Sequence, residues 1–193
     1  MVELRTRNLL VRPLGQIAPT LLHGYLIQNR HSHGQWEPAR SDDYFALESV
    51  KARFVSGEFE TPDERRFALL LQGGSDLAGV VNFTNIAGYP FEACHLGFSI
   101  AAKHEGKGLM REALLCTITH VFQTLGLNRV MANFVPRNVR SALLLSGLGF
   151  TIEGFAKDYL CIAGRWEDHL LTSVLRKDWH GEGAPSRARI TPG

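Results

Sequence analysis

Cysteine is scarce: three stand in 193 residues, Cys94, Cys116 and Cys161, with no CxxC pair among them. That excludes a disulfide-framed scaffold and a zinc knuckle, and it fits free thiols in a reducing cytoplasm. Long hydrophobic runs are missing as well. Stretches such as Phe67 to Leu71 fall far below the roughly 18 residues of a spanning helix, and the acidic, Arg-containing first residues form no signal-peptide core. A cytoplasmic, non-membrane chain is expected. An excess of one charge is also lacking, with 21 basic against 19 acidic residues. So even a balance argues against general or sequence-specific nucleic-acid binding, and any polyanion held must be small and held locally. No self-similarity at 20–50 residues is present, which sets solenoids and propellers aside.

What is present is an ordinary globular composition, 45% apolar and 21% charged. One domain is expected over residues 1–180, with a flexible Gly/Pro/Arg-rich tail over 181–193. Leu9 to Leu14 reads as a strand closed by Pro13. Ile17, Leu21, Leu22, Tyr25 and Leu26 recur at helical spacing, and His31 to Arg40 has no period and reads as a loop. Ser41 can cap a second helix whose apolar side is Phe45, Leu47, Val50 and Phe54. Strands follow at Arg66 to Gln72, Leu77 to Thr84 and Cys94 to Ala101. From Leu109 to Leu125 the apolar residues form an i, i+3, i+4, i+7 series, the mark of an amphipathic helix. Arg129 to Val135 reads as a buried strand, Asn138 as the cap of a helix ending at Gly147 or Gly149, and Phe150 to Asp158 with Trp166 to Leu175 as a hairpin about Ala163-Gly164.

Between strand and long helix lies Lys103-His104-Glu105-Gly106-Lys107-Gly108. A glycine turn there lets successive N–H groups point outward together, and the helix dipole adds about half a positive charge. A phosphate would fit; so would a tight turn made only for packing. The dinucleotide fingerprint GxGxxG fails at Arg111, and the nucleoside-triphosphate loop GxxxxGK[ST] fails at Ala101 and Gly108. Lys107 and Arg111 flank the turn, either as phosphate contacts or as a solvated face.

Lys103 to Met110 resembles the acetyl-coenzyme-A pyrophosphate loop of the GCN5-related N-acetyltransferase (GNAT) superfamily. Asn138-Val139-Arg140-Ser141 with Leu148-Gly149-Phe150 resembles a later motif of that superfamily. Trp36-Glu37-Pro38, Asn82-Phe83, Cys94 to Ile100, and Ala156 to Leu160 through Gly164, Trp166, Asp168 and His169 are similar to its RimJ-type branch, bacterial enzymes acting on the N-terminal alanine of a small-subunit ribosomal protein. The similarity runs from about Arg5 to Trp179. It implies an α+β fold: a mostly antiparallel, twisted sheet of six to seven strands, splayed after the fourth, flanked by about four helices. It implies acetyl-coenzyme A as donor, a protein N-terminus as partner, and a monomer or homodimer. Diphosphate would lie on the amides from Glu105 through Gly106, Lys107, Gly108 and Leu109 to Met110. The pantetheine arm would add as a strand between Leu96–Ala101 and Val130–Val135, touching Phe98, Ser99, Ile100, Asn133, Asn138 and Ser141. Gly97 and Ser99, small and on one side of their strand, leave room for the arm.

Acetyl transfer to an amine needs a neutral nucleophile, stabilisation of an oxyanion, and a proton for the departing thiolate. Deprotonating a lysine of pKa about 10.4 at pH 7 costs about 4.6 kcal/mol; an α-amine near about 7.8 costs about 1.1 kcal/mol. A weak or water-mediated base therefore suffices for an N-terminus. Two departures from the superfamily pattern make this relevant: His95 replaces an acid before Leu96-Gly97-Phe98, and Leu145 replaces a tyrosine seven residues after Asn138. Ser141 is the expected substitute, able to hydrogen-bond or protonate the sulfur; a capping partnership with Asn138 is the alternative. Glu37, presented from a non-periodic loop beside Trp36, is expected to bind the amine or serve as a remote base. Asp158 and Tyr159 on the last hairpin are further substrate-side candidates, or rim residues. His31-x-His33 and Cys116-x3-His120 are isolated pairs, too few for a metal site, so no metal is expected. Acetylation of an aminoglycoside or polyamine, or acyl-coenzyme-A binding without catalysis in a ribosome-assembly factor, remain as alternatives.

Overall fold

The computed structural model describes residues 3–59, 61–74 and 76–181. Eight strands and four helices appear in chain order: β1 (Leu4–Arg5), β2 (Leu9–Pro13), α1 (Pro19–Gly34), α2 (Leu47–Val55), β3 (Arg65–Leu71), β4 (Leu77–Ala87), β5 (Ala93–Ile100), α3 (Leu109–Leu125), β6 (Arg129–Met131), α4 (Val139–Gly147), β7 (Thr151–Ile162) and β8 (Arg165–Leu175). They make one sheet in the order β1-β2-β3-β4-β5-β6-β8-β7. Every neighbouring pair is antiparallel except β5 and β6.

The sheet is buried on both faces, and β3 shows how. Phe67 and Leu69 belong to a core shared with α3 through Ala113, Leu114, Ile118 and Val121. Ala68 and Leu70, one residue out of phase, join a second core with Leu22 and Tyr25 of α1 and Val50 of α2. Period-two alternation sends neighbours to opposite faces, so a strand covered twice reads as an unbroken apolar run.

The parallel contact between β5 and β6 is short. It runs only through Ala93↔Arg129, Cys94↔Val130 and His95↔Met131. Beyond it only the contact with β8, already made by β6, continues: the Ala132 N–H donates to the Thr172 carbonyl at 2.9 Å, and Phe134 bridges Leu170. A wedge opens between Leu96–Ile100 and residues 132–135. This is the splay expected after the fourth long strand.

Several expectations need correction. The sheet has eight strands, not six to seven, because β1 is only two residues long and leaves no pattern to read. His31 to Gly34 are helical, extending α1, and the loop begins only at Gln35. Their polarity reflects what they face: His33 Nε2 donates to the Ile100 carbonyl at 2.9 Å. Ser41 makes no side-chain cap; Asp42–Phe45 forms a short 3-10 turn and α2 starts at Leu47. β6 stops at Met131, short of Val135, where the splay begins. Asn138 caps α4 as expected, its side chain accepting from the Ser141 N–H at 3.1 Å. Apart from Gly181, the tail lies outside the described residues.

Gly79 is where β4 and β5 come closest: a Cβ there would lie 2.6 Å from the Ser99 carbonyl oxygen. Backbone on backbone cannot yield cheaply, so Gly79→Ala should lower stability by about 1–3 kcal/mol, read as a depressed midpoint in urea unfolding. It should also weaken cofactor binding, since Ser99 borders the wedge.

Candidate active site

A cavity of about 1100 Å³ fills the wedge and continues between α1 and the sheet. At one end stands the glycine turn. Gly106 and Gly108 adopt φ of 72° and 76°, left-handed values that side chains disfavour. A Cβ built on either meets no atom within 4 Å, so the space before the turn is open. Helix α3 starts at once, with Glu112 N–H the donor to the Gly108 carbonyl at 3.1 Å. The N–H groups of the first turn thus have no acceptor within the helix. Glu105, Gly106, Gly108, Leu109 and Met110 line the cavity, together with Arg111 and Arg140. Lys107 does not, and Lys103 is drawn away to Asp76 at 2.6 Å.

Along the middle, Leu96 to Ile100 form one wall, and Ala132 to Val135, Asn138 and Ser141 the other. The capping bond to Asn138 uses only the Ser141 backbone N–H. Ser141 lines the cavity with its hydroxyl not used by the cap, and Leu145, 2% exposed, is a core residue that borders the same cavity. Asn133 lines the same wall as a strut: its amide donates to the Tyr159 hydroxyl at 3.0 Å and accepts from the Thr172 N–H at 3.2 Å. Ser99 departs from expectation. Its hydroxyl lies 2.8 Å from that of Tyr25, so its small size accommodates helix α1 as well as opening space.

The other end is built by the last turn of α1, the loop after it, and the tip of the β7–β8 hairpin. Asn29 bolts α1 to the end of β5, donating to the Tyr25 carbonyl and accepting from the Ala102 N–H at 2.9 Å. The Ala163 N–H donates to the Glu37 carbonyl at 3.0 Å, tying loop to hairpin. Arg137, paired to Glu167 at 2.8 Å, lies over the Trp36 ring at 4.8 Å. Trp36 and Glu37 both line the cavity. Glu37 is half-buried, and desolvation pushes its carboxyl above the usual range against the pull of His33, 4.0 Å away, and Arg40.

Glu37, Trp36 and Ser141 are thus brought to one cavity with the glycine turn, while Asp158 and Tyr159 are not on its wall. Asp158, at φ 45°, donates its N–H to the Asp168 carboxylate and serves the hairpin's irregular turn. His95 also lies off the wall, 3.5 Å from the Asn85 amide. Sequence reasoning missed Tyr25, His33, Arg53, Asn82, His104 and His169, all of which line the cavity. Tyr25 reads as core on an apolar stripe, and His169 lies in a strand whose pattern gives no hint of a cavity. Buried Arg53 Nε, Asn82 Oδ1 and His104 Nε2 lack protein partners among the described residues.

A sheet parted at one seam, with a glycine turn and helix start at its head, defines a protein that holds a diphosphate and a peptide-like arm. Comparison with known proteins names the group. Residues 8–151 match the acetyltransferase (GNAT) domain, and the chain belongs to that family. It is 41% identical over 180 residues to [Ribosomal protein uS5]-alanine N-acetyltransferase of Escherichia coli, covering 92% of this chain and 93% of that one. A structure of ribosomal-protein-S5-alanine acetyltransferase from Vibrio fischeri superposes with a TM-score of 0.83 at 37% identity, over 93% and 99% of the two chains. Mycobacterium smegmatis RimJ in complex with CoA-disulfide shares the fold at a TM-score of 0.80 and 24% identity, over 88% and 82%. The chain is therefore an acyltransferase that uses acetyl-coenzyme A.

The residues present fit that donor. The open cradle at Gly106 and Gly108 accepts a diphosphate, and the unpaired seam accepts an amide-bearing arm. Acetyl-coenzyme A at a hundredfold excess over Kd should stabilise the fold by about 2.7 kcal/mol, seen as a raised Tm that ATP does not match. Gly106→Val places a branched side chain at φ 72° inside the cradle; its Tm should no longer respond, and calorimetry should show affinity lost. Retained affinity would place the diphosphate elsewhere.

Proposed function

We propose that the chain acetylates the α-amine of an N-terminal alanine on a small-subunit ribosomal protein of the uS5 type. The observation that carries this is the likeness, over 92% of the chain, to an enzyme named for that reaction. The site's chemistry supports it. An α-amine needs only about 1.1 kcal/mol to lose its proton at pH 7, which suits a site with His95 off the cavity wall and Leu145 buried where a donor would stand.

Acetyl-coenzyme A supplies an activated acetyl as a thioester. Glu37 draws the ammonium of the incoming N-terminus, and Trp36, stiffened by Arg137, walls off the first side chain. A shallow wall favours small first residues, one methylene of misfit being worth about 1–3 kcal/mol. Ser141 offers its hydroxyl to the leaving sulfur from the first turn of α4. Desolvated polar contacts of this kind act more strongly than in water.

The acceptor is tested with an Ala-leading peptide, its N-formyl form, a peptide whose only amine is an internal lysine, and spermidine. Turnover confined to the free α-amine is expected. Equal rates on lysine, or activity on spermidine or aminoglycosides alone, would move the assignment to a small-molecule or side-chain acetyltransferase. Cofactor binding with no turnover on any amine would leave a non-catalytic binder. Glu37→Gln should raise the peptide KM without changing acetyl-coenzyme-A affinity. In the wild type that KM should rise on acidification, as the carboxylate takes its proton at an elevated pKa.

Ser141→Ala should lower kcat by roughly tenfold to a thousandfold with little change in cofactor Kd. An unchanged kcat in an enzyme limited by chemistry would leave Ser141 with the helix cap alone.

A further inference from the structure

His169 sits on β8, paired across the hairpin with Ala156, and is 4% exposed. The space its ring borders is the cavity, in the company of Phe134, Ser141 and Leu160. Its Nδ1 lies 3.0 Å from the Glu167 carbonyl oxygen. A carbonyl only accepts, so Nδ1 carries the hydrogen, and the neutral ring keeps its lone pair on Nε2. Nε2 has no protein partner among the described residues and is not one of the enclosed orphan atoms.

The ring is also held from the side. Tyr159 packs against it at 5.1 Å between centroids, and Tyr159 is itself fixed by Asn133 at 3.0 Å. One residue further along β8, Leu170 bridges Phe134 on the far wall of the wedge. The histidine is thereby held in place on β8, beside the strand segment that forms one wall of the wedge. A histidine placed only to fill the core would have no need of a bare nitrogen next to an open cavity.

We infer that His169 is the base that neutralises the acceptor amine, a reading that rests on the α-amine acceptor proposed above. One proton passes from the α-ammonium to Nε2, leaving a neutral amine and an imidazolium that returns the proton to solvent. The N–C bond then forms as the C–S bond breaks. The second proton leaving nitrogen balances the one gained by the thiolate through Ser141, so the net release is the single proton His169 carries. The titratable and charged groups beside it are Tyr159 from β7, Glu167 with its partner Arg137, and Asp168, which accepts from the Asp158 N–H; Glu37 and His33 line the same cavity.

The test variant is His169→Asn, whose amide N–H keeps the bond to the Glu167 carbonyl while Nε2 is lost. With an Ala-leading peptide at pH 7, kcat should fall about 10²–10⁴-fold, with Tm and acetyl-coenzyme-A affinity near wild type. The deficit should shrink as pH rises through about 7.8, where the α-amine loses its proton unaided, and added imidazole should restore part of the rate. His169→Gln, which keeps a polar group at the outer position without a base, should behave alike and serves if the Asn variant does not fold. A deficit equal at every pH and deaf to imidazole, or wild-type kcat in either variant, overturns the inference while leaving the acceptor intact. A wild type inactive on every α-amine peptide overturns the acceptor reading and this one with it.

Discussion

The structure depends on one failure of pairing. β5 and β6 run together for three residue pairs and then separate, while the chain after β6 keeps its bonding to β8 on the other edge. In an ordinary parallel sheet those strands would stay joined to their ends, and no backbone would be left to bind anything. Here the unmatched edge of β5 becomes one wall of a cavity, and residues 132–135 become the other. A donor's arm laid there would restore by binding what the strands do not supply to each other.

A parted sheet must be held from outside, and the two cores do so unequally. On one face α3 packs its Ala113, Leu114, Ile118 and Val121 under the strands on the intact side of the seam, so its start, and the glycine turn with it, is fixed relative to β5. On the other face α1 fastens by polar contacts to the outer half of the same strand: Tyr25 to Ser99, His33 to the Ile100 carbonyl, Asn29 to the Ala102 N–H. These are directional bonds, which set position without filling the wedge. The α1 end of the cavity therefore adds directional hydrogen bonds to its apolar packing, whereas the α3 end rests on apolar packing.

How much could be read beforehand follows from the same division. The long helix, the glycine turn, the Asn138 cap and the last hairpin are local features, each written in contiguous residues, and they stand where the sequence places them. β1 is two residues long and exists only through pairing with Leu10 and Val11, so no local pattern announces it. The end of α1 misleads for another reason: His31, Ser32 and His33 look like loop because they are polar, but Ser32 and His33 are polar toward Asn29 and Ile100 inside the protein. Of the site, the donor half was legible as a motif. Glu37 and Trp36 were legible as an aromatic and an acid in an aperiodic stretch. Tyr25 was not, since its place on the wall depends on α1 lying against β5; Asn82 and His169 were quoted as points of resemblance, but no local pattern gave them a role.

The arrangement also bears on which amines the site can serve. A lysine side chain asks for about 3.5 kcal/mol more than an α-amine before it can attack at pH 7, from the difference between pKa values of about 10.4 and about 7.8. A carboxylate close to the reacting nitrogen would help to meet that demand, but His95, before Leu96-Gly97-Phe98, offers none and lies off the cavity wall. The acid that does reach the cavity, Glu37, is one whose burial already makes it reluctant to hold a charge. Groups of modest basicity, a half-buried carboxyl and an imidazole, would suffice for an α-amine that needs only about 1.1 kcal/mol to lose its proton at pH 7. In the proposed reaction, selectivity between the two kinds of amine needs no steric exclusion of lysine: the lower cost of deprotonating the α-amine would supply it.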